Sequence, residues 1–182
     1  DYKHYKRVNF DEPFRIFLSL VFHRLDNFQK NKKGYRYFHE FLDDILLFQN
    51  SVLKIFGTKI KNTKLDNFIE MVYQFEFHGV SLDIRQNSSV INAQSGREYF
   101  DFEELIKEIP ELQKIYGDKV FNSIILSMTS SESDVLNLFN VCKKHMPKEN
   151  IPSITPLIEE IEELQKSHII LEKLFLNRQY KS

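Results

Sequence analysis

Three short segments of the sequence end in polar residues that could do chemistry. Arg85 ends a run in which apolar and polar residues alternate, Ser127 ends a run of isoleucine and leucine, and Glu159 ends a third apolar run. A guanidinium binds phosphate or carboxylate groups, a hydroxyl donates a hydrogen bond, and a carboxylate is a ligand for a hard metal ion. The three residue types together predict a site for an anionic substrate and a divalent cation.

The elements that carry these residues read as strands that alternate with helices. The predicted strands are Val80–Arg85, Val120–Met128 and Ile151–Ile158, and the predicted helices are 102–116, interrupted at Pro110, 131–145, capped by Ser131 or Ser133, and 159–176. Such alternation favours a parallel sheet, either doubly wound or closed into a barrel. Sites in these folds lie at the carboxyl ends of the strands, so we expect Arg85, Ser127 and Glu159 to share one edge.

The sequence before residue 79 has a different, helical pattern. Apolar residues recur at helical spacing over 11–28, 35–56 and 64–77, and Gly57 is a plausible cap at the end of the second helix. We therefore predict a helical region over 1–78 and a partial β/α barrel region, in the order βαβαβα, over 79–182. The predicted class is mainly α with α/β, that is, helices plus part of a parallel TIM-type barrel.

Each candidate residue also has a structural interpretation. Arg85 could form a purely structural ion pair with Asp83 or Asp134, and Ser127 could belong to a polar turn between a strand and a helix. Glu159 could be an acid in the first turn of a helix, where acids are favoured. His78 and Cys142 are expected to be packed residues rather than catalysts, because both lie among apolar neighbours in the sequence.

Composition excludes several classes of protein. The formal net charge is -1 over 182 residues, which gives no electrostatic case for binding nucleic acid or an anionic membrane. A single cysteine rules out a disulfide within the chain and favours the cytoplasm. No apolar run reaches the roughly 20 residues that span a bilayer. Glycine-rich phosphate loops and the CxxC, HExxH and GxSxG motifs are absent from the sequence.

Four motifs in order resemble the phosphoenolpyruvate carboxylase family. They are Glu12-Pro13-Phe14-Arg15, then Phe77-His78 with Leu82-Asp83-Ile84-Arg85-Gln86-Asn87-Ser88, then Ile125-Leu126-Ser127-Met128-Thr129 with Ser133-Asp134-Val135-Leu136, and finally Pro156-Leu157-Ile158-Glu159-Glu160-Ile161-Glu162-Glu163-Leu164. Each motif alone is modest, but the ordered set is specific and spans nearly the whole chain.

The resemblance implies a lyase that adds bicarbonate to phosphoenolpyruvate and releases oxaloacetate and phosphate, with Mg²⁺ or Mn²⁺. Glu159 matches the family's metal-ligating glutamate, and Arg85 matches an arginine that lines the substrate site and takes part in catalysis. Ser127 lies in a matching segment and is a candidate substrate-binding residue. The resemblance also implies a cytoplasmic homo-oligomer, a tetramer, that binds neither nucleic acid nor membrane.

The sequence departs from the family in several places. The family's chain is several times longer, so we expect this chain to be an internal piece that contacts the missing parts and is inactive alone. Glu76 stands where the family has glycine, Glu160 replaces the family's threonine, and the connection from Gln86 to Ser127 is shorter than the family's. The alternative hypothesis is a non-catalytic helical interaction module or a truncated homologue.

Overall fold

The computed structural model describes residues 11–57 and 63–181. The chain divides into two compact units, one formed by Asp1–Gly79 with Lys114–Gly117 and the other by Val80–Gln113 with Asp118–Ser182. Each unit has its own cluster of buried apolar side chains.

Residues 11–57 and 63–79, the described part of the stretch Asp1–Gly79 in the first unit, contain three helices: α1 (Pro13–Gln29), α2 (Phe38–Phe56) and α3 (Thr63–Phe75). Pro13 stands at the start of α1, where the missing N–H would have no helical partner. Gly57 ends α2 at φ 72° and its N–H donates to the Leu53 carbonyl. The second helix starts three residues later than predicted and ends at the predicted residue, and the third starts one residue earlier and ends two residues earlier than predicted.

Aromatic rings fill the centre of the first unit. Phe77 follows α3 and lies within 4.7–6.4 Å, between ring centroids, of four other aromatic rings: those of Phe28, Tyr35, Phe38 and Phe41. Val21, Ile45, Ile69 and Val72 complete the buried cluster. Aromatic pairs at these separations add stability beyond the area they bury, which explains the use of many phenylalanines here.

The second unit is built on a three-stranded sheet in the order β1-β2-β3, with all strands parallel. The strands are β1 (Leu82–Asn87), β2 (Phe121–Ser127) and β3 (Ser153–Pro156). β2 and β3 lie within their predicted ranges but are shorter, whereas β1 starts and ends two residues later than the predicted strand Val80–Arg85. The parallel β/α organisation is confirmed; a closed barrel is not seen in the described residues.

Six helices accompany the sheet: α4 (Ser88–Ala93), α5 (Arg97–Tyr116), α6 (Glu132–His145), α7 (Ile161–Gln165), α8 (Ser167–Leu176) and α9 (Arg178–Lys181). A single 3₁₀ turn, Lys148–Asn150, precedes β3. The last three residues of α5, 114–116, belong to the first unit.

The predicted interruption at Pro110 is wrong, because α5 runs through it. An internal proline costs a helix about 3 kcal/mol. Ile106 and Ile109 lie fully buried on the same helix, so burial of this face in the core offsets the lost hydrogen bond.

Two other predictions about helices need correction. The single helix expected over 159–176 is two helices, α7 and α8, separated at Lys166. Ile161 is 74% exposed whereas Ile170 is 5% exposed, so the apolar residues of the two pieces do not form one buried stripe. The short helix α4 is missing from the predicted elements; its signal is Asn87, whose side chain accepts a hydrogen bond from the Ser89 N–H.

The register gives the sheet one apolar and one polar face. Ile84 pairs with Ile124, which pairs with Ile154, and the first two are buried in the core beneath the helices. Arg85, Ile125 and Thr155 are aligned in the same way, and because neighbouring residues in parallel register point to the same side, they occupy the opposite face. Asp83, Asn87, Ser123 and Ser127 share this polar face.

Candidate functional site

The structure brings Arg85 and Glu159 into direct contact, although they are 74 residues apart in the sequence. The Arg85 Nη2 atom lies 2.7 Å from Glu159 Oε1, a short ion pair with a hydrogen bond. The Arg85 side chain is 60% exposed and that of Glu159 30% exposed. The two groups therefore form a solvent-accessible cation–anion pair on the second unit.

The ion pair crosses the central strand. Arg85 extends from β1 and Glu159 follows β3, and in a sheet these outer strands are about 10 Å apart because each neighbour lies about 4.8 Å away. Arg85 is aligned with Ile125 of β2, near that strand's carboxyl end. The side chains of Arg85 and Glu159 thus meet over β2 on the polar face of the sheet.

The backbone that leads to Glu159 is held by hydrogen bonds beyond the end of β3. The Leu157 N–H donates to the Leu126 carbonyl at 2.9 Å, and the Thr129 N–H donates to the Leu157 carbonyl at 3.1 Å. The helix α7 starts only at Ile161. Glu159 is therefore a strand-end residue positioned by β2, and the alternative in which it is a first-turn acid of a helix is wrong.

Ser127 and Thr129 lie at the end of β2, and their hydroxyls are used within the fold. Ser127 Oγ donates to the Gln86 carbonyl at 3.2 Å, and Thr129 Oγ1 donates to the Leu126 carbonyl at 2.7 Å. Both residues are buried. The Ser127 bond ties the carboxyl end of β2 to β1, and the Thr129 bond stays within the end of β2.

Neither of the structural partners considered for Arg85 contacts it. Asp83 accepts hydrogen bonds from Ser123 Oγ at 2.7 Å and from Asn122 Nδ2 at 3.3 Å. Asp134 is 4% exposed and belongs to a separate network at the start of α6. The alternative in which Arg85 forms a purely structural ion pair with Asp83 or Asp134 is therefore wrong.

The Asp134 network joins the turn after β2 to the helix after β1. Asp134 Oδ2 accepts from the backbone N–H groups of Ser130 and Ser131, both at 2.9 Å, and from Ser130 Oγ, while its Oδ1 accepts from Asn92 Nδ2 at 2.8 Å. Burial alone would raise the pKa of Asp134, but the bonds from Asn92, Ser130 and Ser131 lower it below its usual value. We call this set the Asp134 clamp.

A second bond strengthens the same junction. Met128 has a left-handed backbone, φ 55°, and its carbonyl accepts a hydrogen bond from Ser88 Oγ at 2.7 Å. A positive φ at a non-glycine residue is uncommon and is held in place by its surroundings. One signal for this arrangement is present in the sequence, the acid three residues after Ser131. The role of Asn92 was missed because Asn92 lies in α4, a helix that was not predicted.

His78 and Cys142 are packed as expected. Cys142 is fully buried, and burial raises the pKa of its thiol to about 12. The His78 side chain is 4% exposed, and among the described residues neither ring nitrogen has a hydrogen-bond partner. Its Nε2 lies 3.5 Å from Glu76 Oε2, in the first unit.

An open cavity of about 510 Å³ adjoins Arg85. Its walls come from β1 and from α5, which contributes Glu98, Asp101, Phe102 and Leu105. None of these four residues was a candidate at the level of sequence, because their helix gives no motif that distinguishes them from ordinary surface and core positions.

Glu159 could supply one ligand of a metal site. Within residues 11–57 and 63–181, no group of three or more His, Cys, Asp and Glu side chains is arranged to hold a metal ion. A hard divalent ion takes six or more oxygen ligands. The carboxylate chemistry of Glu159 fits such an ion, and the remaining ligands would have to be substrate, water or residues outside the described set.

No helix among the described residues is long and apolar enough to cross a membrane.

Comparison with known proteins identifies a family. The family model described as phosphoenolpyruvate carboxylase matches residues 1–95 and 92–182. A phosphoenolpyruvate carboxylase of Prochlorococcus marinus (strain MIT 9301) is 26% identical over 195 residues, covering 81% of this chain and 19% of the relative. Those of Nostoc sp. (strain PCC 7120) and Gloeobacter violaceus are 26% and 24% identical, covering 90% and 96% of this chain.

The chain spans about a fifth to a quarter of the length of these relatives, 22% for Nostoc and 26% for Gloeobacter. The Gloeobacter alignment runs over 242 positions, more than the 182 residues of the chain, so the relative has residues in this region that have no counterpart here. The two matched pieces meet at 92–95, between the end of α4 and the start of α5.

Proposed function

Because this chain belongs to the phosphoenolpyruvate carboxylase family, we propose that it forms the part of such an enzyme that contributes Arg85, Ser127 and Glu159 to the active site. In the longer polypeptide, the reaction would join bicarbonate to phosphoenolpyruvate to give oxaloacetate and phosphate. The observation that carries this proposal is the 2.7 Å contact of Arg85 and Glu159 at the carboxyl ends of parallel strands. Sites of α/β folds lie at this edge.

The charge of each side chain decides which group it would bind. Arg85 presents a planar guanidinium that binds the phosphate or carboxylate of the substrate and offsets negative charge that develops during reaction. Ser127 borders this position on the same face of the sheet and holds the backbone of β1 in place. Glu159 would hold the divalent ion, Mg²⁺ or Mn²⁺, which when bound stabilises negative charge on the substrate oxygens.

The family relationship carries further proposals about the assembly. The second unit corresponds to part of a parallel β/α barrel, in which the polar face of the sheet lines the interior. The first unit corresponds to a helical region of the enzyme. The complete protein would be a homo-oligomer in the cytoplasm, and β1 and β3, which are edge strands in the described part of the chain, would pair with further strands.

The test uses Mn²⁺ as a paramagnetic probe and phosphoenolpyruvate as the ligand. The ³¹P resonance of phosphoenolpyruvate should broaden more in the presence of wild-type chain and Mn²⁺ than in the same solution without protein. Glu159→Gln should return the line width to the protein-free value, whereas the neighbouring control Glu160→Gln should not. Equal broadening with wild type and Glu159→Gln would refute the assignment of Glu159.

A second candidate function is a non-catalytic interaction module, which the surface of the first unit favours. Phe22, Ile55 and Phe56 are 70%, 65% and 51% exposed. Contiguous patches of exposed apolar side chains are typical of surfaces that contact other proteins. Concentration-dependent self-association in sedimentation velocity, without any broadening of the ³¹P resonance, would favour this function over the carboxylase assignment.

A further inference from the structure

Glu159 lies between a strand and a helix and belongs to neither. The strand β3 ends three residues before it, and α7 begins two residues after it. In the intervening segment, the Leu157 N–H donates to the Leu126 carbonyl at 2.9 Å, and the Leu157 carbonyl accepts from the Thr129 N–H at 3.1 Å. The position of Glu159 therefore depends on Leu157, two residues before it, and on the two groups that bond to Leu157.

One of these two groups belongs to the turn that follows β2. The turn begins at Met128, whose φ of 55° is a conformation that a non-glycine residue keeps where its surroundings hold it. The Met128 carbonyl accepts a hydrogen bond at 2.7 Å from the first residue of α4. The N–H groups of Ser130 and Ser131 both donate to Asp134 Oδ2 at 2.9 Å. The Thr129 N–H thus lies in a turn that is bonded on both sides.

The Asp134 clamp also ties this turn to α4. Asn92 of α4 donates from Nδ2 to Asp134 Oδ1 at 2.8 Å, and its own Oδ1 accepts from Asn137 Nδ2 at 2.9 Å. One carboxylate, 4% exposed as a residue, therefore joins the helix after β1, the turn after β2 and the start of α6. Arg85, by contrast, is held by its register in the sheet.

We infer that Asp134 is a positioning residue for Glu159. It acts through the backbone: the clamp orients the turn after β2, the Thr129 N–H in that turn fixes the Leu157 carbonyl, and Glu159 follows two residues later. The inference rests on the proposed function, which assigns Glu159 to the active site. It adds that the 2.7 Å contact between Glu159 and Arg85 forms only while the clamp is intact.

A purely structural role of Asp134 predicts a different result. If Asp134 only caps α6, its removal lowers the stability of the chain and leaves the Arg85–Glu159 contact unchanged. If it positions Glu159, its removal also abolishes the contact. Leu138→Ala is the matched control, because Leu138 is fully buried on the same helix and its truncation lowers stability without removing a member of the clamp.

The experiment is a double-mutant cycle of Arg85→Met and Glu159→Gln, measured by urea unfolding at low ionic strength. It is run in three backgrounds: the otherwise wild-type chain, Asp134→Ala and Leu138→Ala. The cycle gives the interaction between the two side chains as a fold-change in the unfolding equilibrium constant. The Arg85 and Glu159 side chains are 60% and 30% exposed, and an exposed ion pair contributes up to about fivefold.

We expect an interaction of about fivefold in the wild-type and Leu138→Ala backgrounds and of less than about twofold in Asp134→Ala. An interaction that survives in Asp134→Ala would overturn the positioning role, and so would an equal loss in Leu138→Ala. No interaction in any background would also overturn it, because the clamp would then have no contact to maintain. The cycle contains no ligand, so failure of the ³¹P test would count against the active-site assignment alone.

An exchange of two side chains keeps the test valid if Asp134→Ala fails to fold. Asn92→Asp places a second carboxylate against Asp134, and because like charges repel, the Arg85–Glu159 interaction should fall below about twofold. Adding Asp134→Asn restores one carboxylate and one amide in exchanged places and should return the interaction to about fivefold. An undiminished interaction in Asn92→Asp, or no recovery in the exchanged pair, would contradict the inference.

Discussion

The Asp134 clamp makes a quantitative prediction about stability. Asp134 is 4% exposed and accepts hydrogen bonds from Asn92, from Ser130 through both N–H and hydroxyl, and from the Ser131 N–H. In Asp134→Ala these buried donors lose their acceptor, and an unsatisfied buried donor costs about 1–3 kcal/mol. Allowing for access of water to some of the donors, the free energy of unfolding should fall by about 3 kcal/mol.

The pH dependence gives an independent check on the same group. The pKa of Asp134 is lowered in the folded chain, because the hydrogen bonds from Asn92, Ser130 and Ser131 outweigh burial. A carboxyl with a depressed folded pKa stabilises the fold above its unfolded pKa, about 3.9, and this contribution is lost as pH falls through the folded value. The stability difference between wild type and Asp134→Asn should therefore be largest near neutral pH and shrink below about pH 4.

The assay is urea unfolding followed by circular dichroism, at neutral pH and at about pH 3. Asp101→Ala serves as the control, since the Asp101 side chain is 71% exposed and its ion pair with Arg97 is 3.5 Å long. Substitution there should change stability by less than about 0.5 kcal/mol. A loss below 0.5 kcal/mol in Asp134→Ala, or a difference for Asp134→Asn that is undiminished at acid pH, would refute the reasoning.

Three further predictions concern other parts of the two units. Leu138→Ala should lower the free energy of unfolding by about 2–5 kcal/mol in urea titrations, because Leu138 is fully buried and the change leaves a cavity; a loss of under 1 kcal/mol would contradict this. Gly117→Ala should cost about 1–3 kcal/mol by the same assay, since Gly117 has φ 110° and an added Cβ would meet the Glu76 side chain; unchanged stability would count against that contact. Cys142 should react with a thiol reagent far more slowly in native buffer than in urea, because burial raises its pKa to about 12 and shields the sulfur; equal rates would show that the site opens freely.

Sequence periodicity was sufficient for the main elements of the fold. Strict alternation predicted β1, and helical spacing of apolar residues predicted the helices α1, α2 and α3 to within a few residues. These patterns are local consequences of burying one side of an element, so they are visible without tertiary contacts. The alternation of strands and helices predicted that the sheet is parallel, whereas the strand order β1-β2-β3 comes from the structure.

Predictions failed where packing overruled a local preference. Pro110 would end or kink an isolated helix. The helix α5 continues through it because Ile106 and Ile109, which lie in the turn before the proline, are fully buried. The apolar residues of 159–176 have helical spacing, yet the chain breaks at Lys166 because Ile161 and Ile170 face different environments. In both cases the outcome depends on which surfaces the neighbouring elements cover, and these long-range contacts cannot be read from the local sequence pattern.

For the site, the sequence by itself determined which chemical groups are available and at which end of the strands they lie. It placed Arg85, Ser127 and Glu159 after three successive strands, and four ordered motifs pointed to the family that the comparisons also identify. The tertiary structure alone decided that Arg85 pairs with Glu159 rather than with Asp83 or Asp134. The physical reason is register: parallel pairing with β2 fixes how far along the sheet each side chain stands, and a shift by one residue would turn Arg85 to the opposite face.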